Sequence, residues 1–374
     1  MSLDMLCPVC NTRFTAVDPK PPKPEVKRLT DARNTLDNAF GDVRKLSFIG
    51  VEYASVCPWS CDGSWLLLVH QSYFGLYDVN GKYVEDLPFD INASSRPRWD
   101  RTNADLIYYQ AFNQLRSYNV REKTSMGLPR SARVVATFSE YTSIDSMGEA
   151  DFEGDCLPLC GTKADGTREI FVYSLSRGKG KAIIVDDPFD SLYVTSKGNL
   201  TATWNANGLG RFHGVELYDA EMDFIRQLTD AGGHMCFAND SDGSEILLWT
   251  NSNSSFTHVP QQSIVKVRVS DGWQTGLMMV DWKTLAIDIG ANAGWFCLSV
   301  YGGPNSNGKP YAGEILMVNI ATGEIVKVCD HGSSAKDYTA QPKAAVSRDG
   351  KKIVFCSDMG DSTPDYCDVY MVKL

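Results

Sequence analysis

Ala345-Val346-Ser347-Arg348-Asp349-Gly350-Lys351-Lys352-Ile353-Val354-Phe355, followed by Asp368-Val369-Tyr370-Met371-Val372, is the stretch that decides the fold. A short apolar strand meets an Asp-Gly turn, a second apolar strand follows, and a third ends just before Leu374. Asp-Gly marks a hairpin because glycine takes positive φ without cost and aspartate tolerates it. The same figure stands at Cys57-Pro58-Trp59-Ser60-Cys61-Asp62-Gly63-Ser64-Trp65-Leu66-Leu67-Leu68, with Gly75-Leu76-Tyr77-Asp78-Val79-Asn80-Gly81-Lys82 behind it. Aligning on these two copies gives units starting near 56, 96, 148, 191, 234, 285 and 341. The mean spacing, about 47 residues, is that of a four-stranded propeller blade.

Asp62-Gly63, Asp242-Gly243 and Asp349-Gly350 are then expected to be two-residue hairpins joining first and second strands. Asn80-Gly81 and Asp271-Gly272 would join third and fourth strands, and Asp100-Arg101-Thr102-Asn103 would make a longer first turn in the second unit. The last unit stops after its third strand, and a ring missing one outer strand keeps a free sheet edge. Lys27-Arg28-Leu29-Thr30-Asp31-Ala32 matches Arg226-Gln227-Leu228-Thr229-Asp230-Ala231, which lies where the fourth strand of the fourth unit belongs. The fold expected is therefore all-β: a seven-bladed β-propeller over 25–374, its last blade closed by residues 25–31. Residues 31–48 read as a short helix with a polar start.

Composition agrees with a folded chain and narrows its partners. The 374 residues are 43% hydrophobic and 22% charged, with a net charge of −10. That balance disfavours a sequence-blind grip on nucleic acid, which needs a basic face. No run of about 18 apolar residues is present to span a membrane. The N-terminal stretch has no apolar centre like that of a secretory signal, so a cytoplasmic location is expected. There are eleven cysteines, an odd number, and Cys57, Cys156, Cys236, Cys297 and Cys356 lie in or beside apolar runs. They are expected to be reduced core residues.

Residues 1–24 fall outside the repeat. Pro19, Pro21, Pro22 and Pro24 make a stiff extended arm. Ahead of them, Cys7-Pro8-Val9-Cys10 is half of a tetrahedral zinc site, since a two-residue gap lets both sulfurs reach one ion. No second pair follows nearby, so an exposed reduced pair is the other reading.

Arg96-Pro97-Arg98-Trp99-Asp100 with Ile107-Tyr108-Tyr109, Gly232-Gly233-His234, Gly294-Trp295-Phe296-Cys297-Leu298-Ser299, and Gln341-Pro342 leading to Ser347-Arg348-Asp349-Gly350 carry a resemblance. The chain resembles the TolB-like and WD40-like propellers, and among them those of the oligogalacturonate-lyase and ulvan-lyase kind. The resemblance implies a uronate-containing saccharide as ligand and β-elimination as reaction. It further implies a site of His, Tyr and Arg, with a divalent metal held by a Gln and several His. Gln341 stands in the matching place, but Lys343 stands where a His is implied, and Ala286-Ile287-Asp288-Ile289 has none.

In a propeller the loops between second and third strands share a face with the links between blades. His70, His213, His234, His258 and His331 all map to that face. β-Elimination needs a cation on the carboxylate, a base for the adjacent proton and an acid for the leaving oxygen. On the resemblance and this map, His234 is the candidate base. His213 and Arg211 in Gly210-Arg211-Phe212-His213-Gly214, and Arg98, are candidates for the carboxylate. Tyr338, His331 and Gln341, in the link to the last blade, are candidates for the acid or for metal ligands. The structural alternatives are a strand cap for His234, a solvated hairpin tip for Arg211 and His213, an inter-blade ion pair for Arg98 and a link for the last three. No G-x-S-x-G elbow, Walker A or G-x-G-x-x-G loop is present. Two partners follow: an acidic oligo- or polysaccharide, or, for a non-catalytic propeller, another protein.

Overall fold

The computed structural model describes residues 24–32, 48–70, 73–88, 90–122, 132–146, 148–251, 259, 263–281, 289–291, 294–302 and 308–374. It also gives the backbone of 287, 288, 292 and the short strands Leu3–Leu6, Arg13–Ala16, Leu36–Asp37 and Val43–Arg44. Seven four-stranded antiparallel sheets form the ring. Their inner strands are Ile49–Gly50, Arg98–Trp99, Ser143–Asp145, Phe189–Val194, Met235–Asn239, Ile287–Asn292 and Ala345–Val346, in blades 1 to 7. No α-helix occurs among the described residues; in place of one at 31–48, Leu36–Asp37 pairs with Val43–Arg44.

The core is seven thin layers, one between each pair of neighbouring blades. Period-2 alternation produces them. In blade 1, Leu66 and Leu68 face blade 7 while Leu67 faces blade 2. In blade 5, Ile246 and Leu248 face blade 6 while Leu247 and Trp249 face blade 4. A strand covered on both faces reads as an unbroken apolar run. Cys156, Cys236, Cys297 and Cys356 are free thiols in these layers. Burial pushes the Cys236 thiol up to about 12.

Val26–Arg28 pairs with Asp368–Lys373 and completes blade 7. Asp368, fully buried, fixes the join: its carboxylate accepts from Thr30 Oγ1 (2.8 Å), the Ala32 amide (2.8 Å), Arg28 (2.5 Å) and Tyr366 (2.7 Å). The hairpin turns differ from two-residue loops. In the three between first and second strands, glycine is the fourth residue of a turn and donates back three positions: Gly63 to Ser60, Gly243 to Asp240 and Gly350 to Ser347. Only that last position needs the left-handed conformation, and φ there is 72°, 80° and 71°.

Blade 1 departs most from the repeat. Its inner strand begins at Ile49, paired with His70, rather than near 56. After Gly50 the chain leaves the sheet and returns at Trp59, which bridges Leu66. The intervening tongue, 51–58, crosses the central channel. A Cβ on Gly290 of blade 6 would run into the Ala54 carbonyl oxygen, so only glycine admits the tongue there. Blade 3 makes a smaller excursion between Asp145 and Asp151, and its Glu149 accepts from the Cys57 amide at 3.0 Å. Together they divide the channel into two cavities, both lined by Ser55 and Tyr193.

Candidate functional site

The larger cavity, about 450 Å³, opens among the blade-to-blade links. Arg96, Arg98, His234 and Tyr338 line it, with Glu52 and Tyr53 from the tongue and Asp190 and Trp204 from blade 4. Thus three of the residues singled out in the sequence, Arg98, His234 and Tyr338, come together from three links.

Arg98 opens the inner strand of blade 2 and is 4% exposed. Its guanidinium grips Glu52 with two bonds, Nη1 at 2.8 Å and Nη2 at 3.2 Å, and Nη1 also donates to the Pro97 carbonyl at 2.8 Å. This is an ion pair between blade 2 and the tongue, and it holds a carboxylate in the fork geometry that suits a planar anion. Arg96 lies two residues upstream, where a short turn at Ala93–Ser95, capped by Asn92, ends with Arg96 in the left-handed region (φ 47°). Its nearest acids are at 3.8 Å (Glu52) and 3.9 Å (Asp145), beyond hydrogen-bond reach. Its Nε is buried without a hydrogen-bond partner. Arg96 therefore brings to the cavity a guanidinium with two long ion pairs and no hydrogen-bonded acid.

His234 follows Gly232-Gly233, and its amide donates to Thr250 Oγ1 at 3.1 Å. A Cβ on Gly233 would fall 2.9 Å from that oxygen, so the glycine lets the link pass close to blade 5. The imidazole lies against Tyr53, with ring centres 5.8 Å apart. Tyr338 is 60% exposed, and the ammonium of Lys343 sits 3.4 Å over its ring. Lys343, where the resemblance implies a histidine, is thus a buried cation supporting a rim tyrosine.

The other candidates lie elsewhere. Arg211 Nε donates to Glu216 at 3.0 Å, and its guanidinium covers the Phe224 ring at 4.1 Å. Glu216 is fully buried and also accepts from Trp204 (2.9 Å) and Tyr218 (2.5 Å). Burial opposes the charge of Arg211, but Tyr218 and Glu216 outweigh it and raise its pKa. His213 is turned back on its own loop, Nδ1 to the Arg211 carbonyl at 2.7 Å. Arg211 and the Phe212 amide (2.8 Å) hold Glu216, and neither Arg211 nor His213 lines the cavity.

His331 is buried, with Nε2 on the Val300 carbonyl at 3.1 Å and Nδ1 accepting from the Ser333 amide at 3.0 Å. Both nitrogens are engaged, and burial lowers its pKa. Gln341 Oε1 accepts from Tyr301 at 3.4 Å, outside the cavity. His70 is buried in blade 1 on Tyr77 (2.5 Å). His258, Cys7 and Cys10 lie outside the described residues, among which no group of three or more His, Cys, Asp or Glu converges as a metal site. Nor, among them, is any helix long and apolar enough to cross a membrane.

Reading the sequence missed Arg96, Glu52 and Tyr53. Arg96 stood in a quoted motif, and alternation along Arg96-Pro97-Arg98 was a usable signal. Nothing marked Glu52 and Tyr53, because the repeat placed blade 1 after them.

No known family profile matches the chain, and no curated protein matches it in sequence. Solved structures do match in fold. An oligogalacturonate lyase in complex with manganese superposes with a TM-score of 0.63 at 12% identity, covering 100% of this chain and 96% of that one. The oligogalacturonate lyase of Vibrio parahaemolyticus gives 0.60 at 11% identity, covering 99% and 96%. The WD40 domain of Neurospora crassa Pan2 gives 0.52 at 10% identity, covering 92% and 97%. The chain shares its propeller fold with these structures.

Proposed function

We propose that the upper cavity binds uronate-containing saccharides. The observation that carries this reading is the pair of arginines: Arg98 already grips one carboxylate, and Arg96 beside it has no hydrogen-bonded acid. A uronate carboxylate on Arg96 would take the second place, with Tyr53 and Tyr338 offering flat ring surface to sugar rings. The likeness in fold to oligogalacturonate lyases supports the same ligand class.

In this reading the cavity would supply the groups for β-elimination. A carboxylate neutralised by Arg96 acidifies the adjacent C–H. His234 would take that proton, and Tyr338 would protonate the leaving oxygen. No role falls to His331 or Gln341 in this scheme. A second reading, docking of a protein partner on the same face, is favoured by exposed Phe112 and Leu209 in loops between second and third strands.

The test is incubation with pectate, ulvan and related uronans, with and without divalent metal, following binding heat and the absorbance of unsaturated uronate. Both signals are expected, with His234→Ala lowering the rate roughly 100-fold or more. Heat without product leaves a binding propeller and removes the elimination. No heat with any uronan removes the reading altogether.

A further inference from the structure

The smaller cavity, about 220 Å³, lies on the other side of the tongue. Turns between first and second strands bring Arg101, Phe152 and Arg348 to it from blades 2, 3 and 7. Glu149 sits between the two guanidiniums. Arg101 Nη2 donates to its Oε2 at 2.9 Å, and Arg348 Nη2 reaches its Oε1 at 3.4 Å. Arg101 Nη2 also donates to the Ala150 carbonyl at 3.1 Å. Those are the hydrogen bonds of both side chains among the described residues, and the Nε of each is buried without a partner.

Among the residues that line the cavity charge is therefore left over, with Asp151 acting on Arg101 from outside the lining. Two arginines face one carboxylate, whose Oε1 is already shared with the Cys57 amide. Burial opposes the charge of Glu149, yet Arg101, Arg348 and Arg98 outweigh it and lower its pKa. Glu149 is thus ionised and spent. No second acid lines the cavity among the described residues. A surplus buried cation is costly unless something offsets it. Val194, Phe237 and Val346 give the remaining wall an apolar part, beside Ser55 and Tyr193.

We propose that this cavity is a binding site for a small organic carboxylate, a monoanion held between Arg101 and Arg348 with its carbon chain against the apolar wall. In the cavity wall two guanidiniums against one carboxylate leave one positive charge for one negative charge. A guanidinium suits a two-oxygen planar acceptor. The site is independent of the upper cavity and of whether that cavity takes a uronate.

Two measurements test it. Crystals of the unmodified chain soaked in bromide should show anomalous density between Arg101 and Arg348, and density confined to other places would overturn the site. Calorimetric titration with butyrate should give saturable heat, weakened at least tenfold in Arg348→Gln. Equal binding by both proteins, or no heat with either, would overturn the carboxylate assignment. Should Arg348→Gln fail to fold, the bromide result and the butyrate heat of the unmodified chain decide.

Discussion

The two cavities of the channel share a dividing wall and differ in how their charges close. Above the tongue, Arg96 and Arg98 stand with Glu52 and Asp190 in the wall, two against two, and Asp145 lies 3.9 Å from Arg96 outside it. Below it, Arg101 and Arg348 stand with Glu149 alone. The upper site is balanced on count but uneven in geometry, because Arg98 takes Glu52 and leaves Arg96 beyond hydrogen-bond distance. The lower site is uneven on count. The same fold element, a tongue inserted into one inner strand, thus supplies a carboxylate to one arginine above and an amide to Glu149 below.

The largest way to break this comparison is to remove Glu149. In Glu149→Ala the two lower arginines face each other without an acid, and the Cys57 amide loses its acceptor. Urea unfolding should show a loss of about 3–5 kcal/mol. A loss below roughly 1 kcal/mol would mean the lower cluster is solvated like a surface pair. Next comes Gly290→Ala, which pushes on Ala54 and therefore on both cavities at once. Overpacking of this kind costs about 1–3 kcal/mol. Uronate and butyrate binding should weaken together; weakening of one alone would show that the tongue does not couple them.

The smallest expected effect separates a structural histidine from a functional one. His331 has a depressed native pKa, so the unfolded chain binds its proton first as pH falls. Its contribution is full above the ordinary value of 6.5 and is lost as pH drops below 6.5 toward the native pKa. His331→Gln should flatten the stability profile in that window and leave uronate affinity within about twofold, under 0.5 kcal/mol. A large fall in affinity would return His331 to the upper site.

The architecture was legible because its signals are local and repeated. Glycine turns, unbroken apolar runs and the match of Lys27–Ala32 to Arg226–Ala231 each report backbone geometry or burial on both faces. The candidate site was legible only in part. Arg98, His234 and Tyr338 lie in links that the repeat places at the channel. Arg211 sits in a loop between second and third strands, and nothing local says whether its side chain turns to the channel or back to a buried Glu216. The tongue was illegible for the opposite reason. Residues 51–55 lie ahead of the first copy of the repeat, so an alignment on the repeat leaves them out, and with them Glu52 and Tyr53. Glu149 escaped likewise, in an excursion from blade 3.

The central claim is that Arg96, the guanidinium left over beside the Arg98–Glu52 pair, is what the upper cavity offers a ligand. Calorimetric titration of trigalacturonate into the unmodified chain, Arg96→Gln and Arg211→Gln tests it most directly. The account predicts binding weakened tenfold or more in Arg96→Gln, about 1.4 kcal/mol, and unchanged in Arg211→Gln. Affinity that survives Arg96→Gln and falls in Arg211→Gln would contradict it.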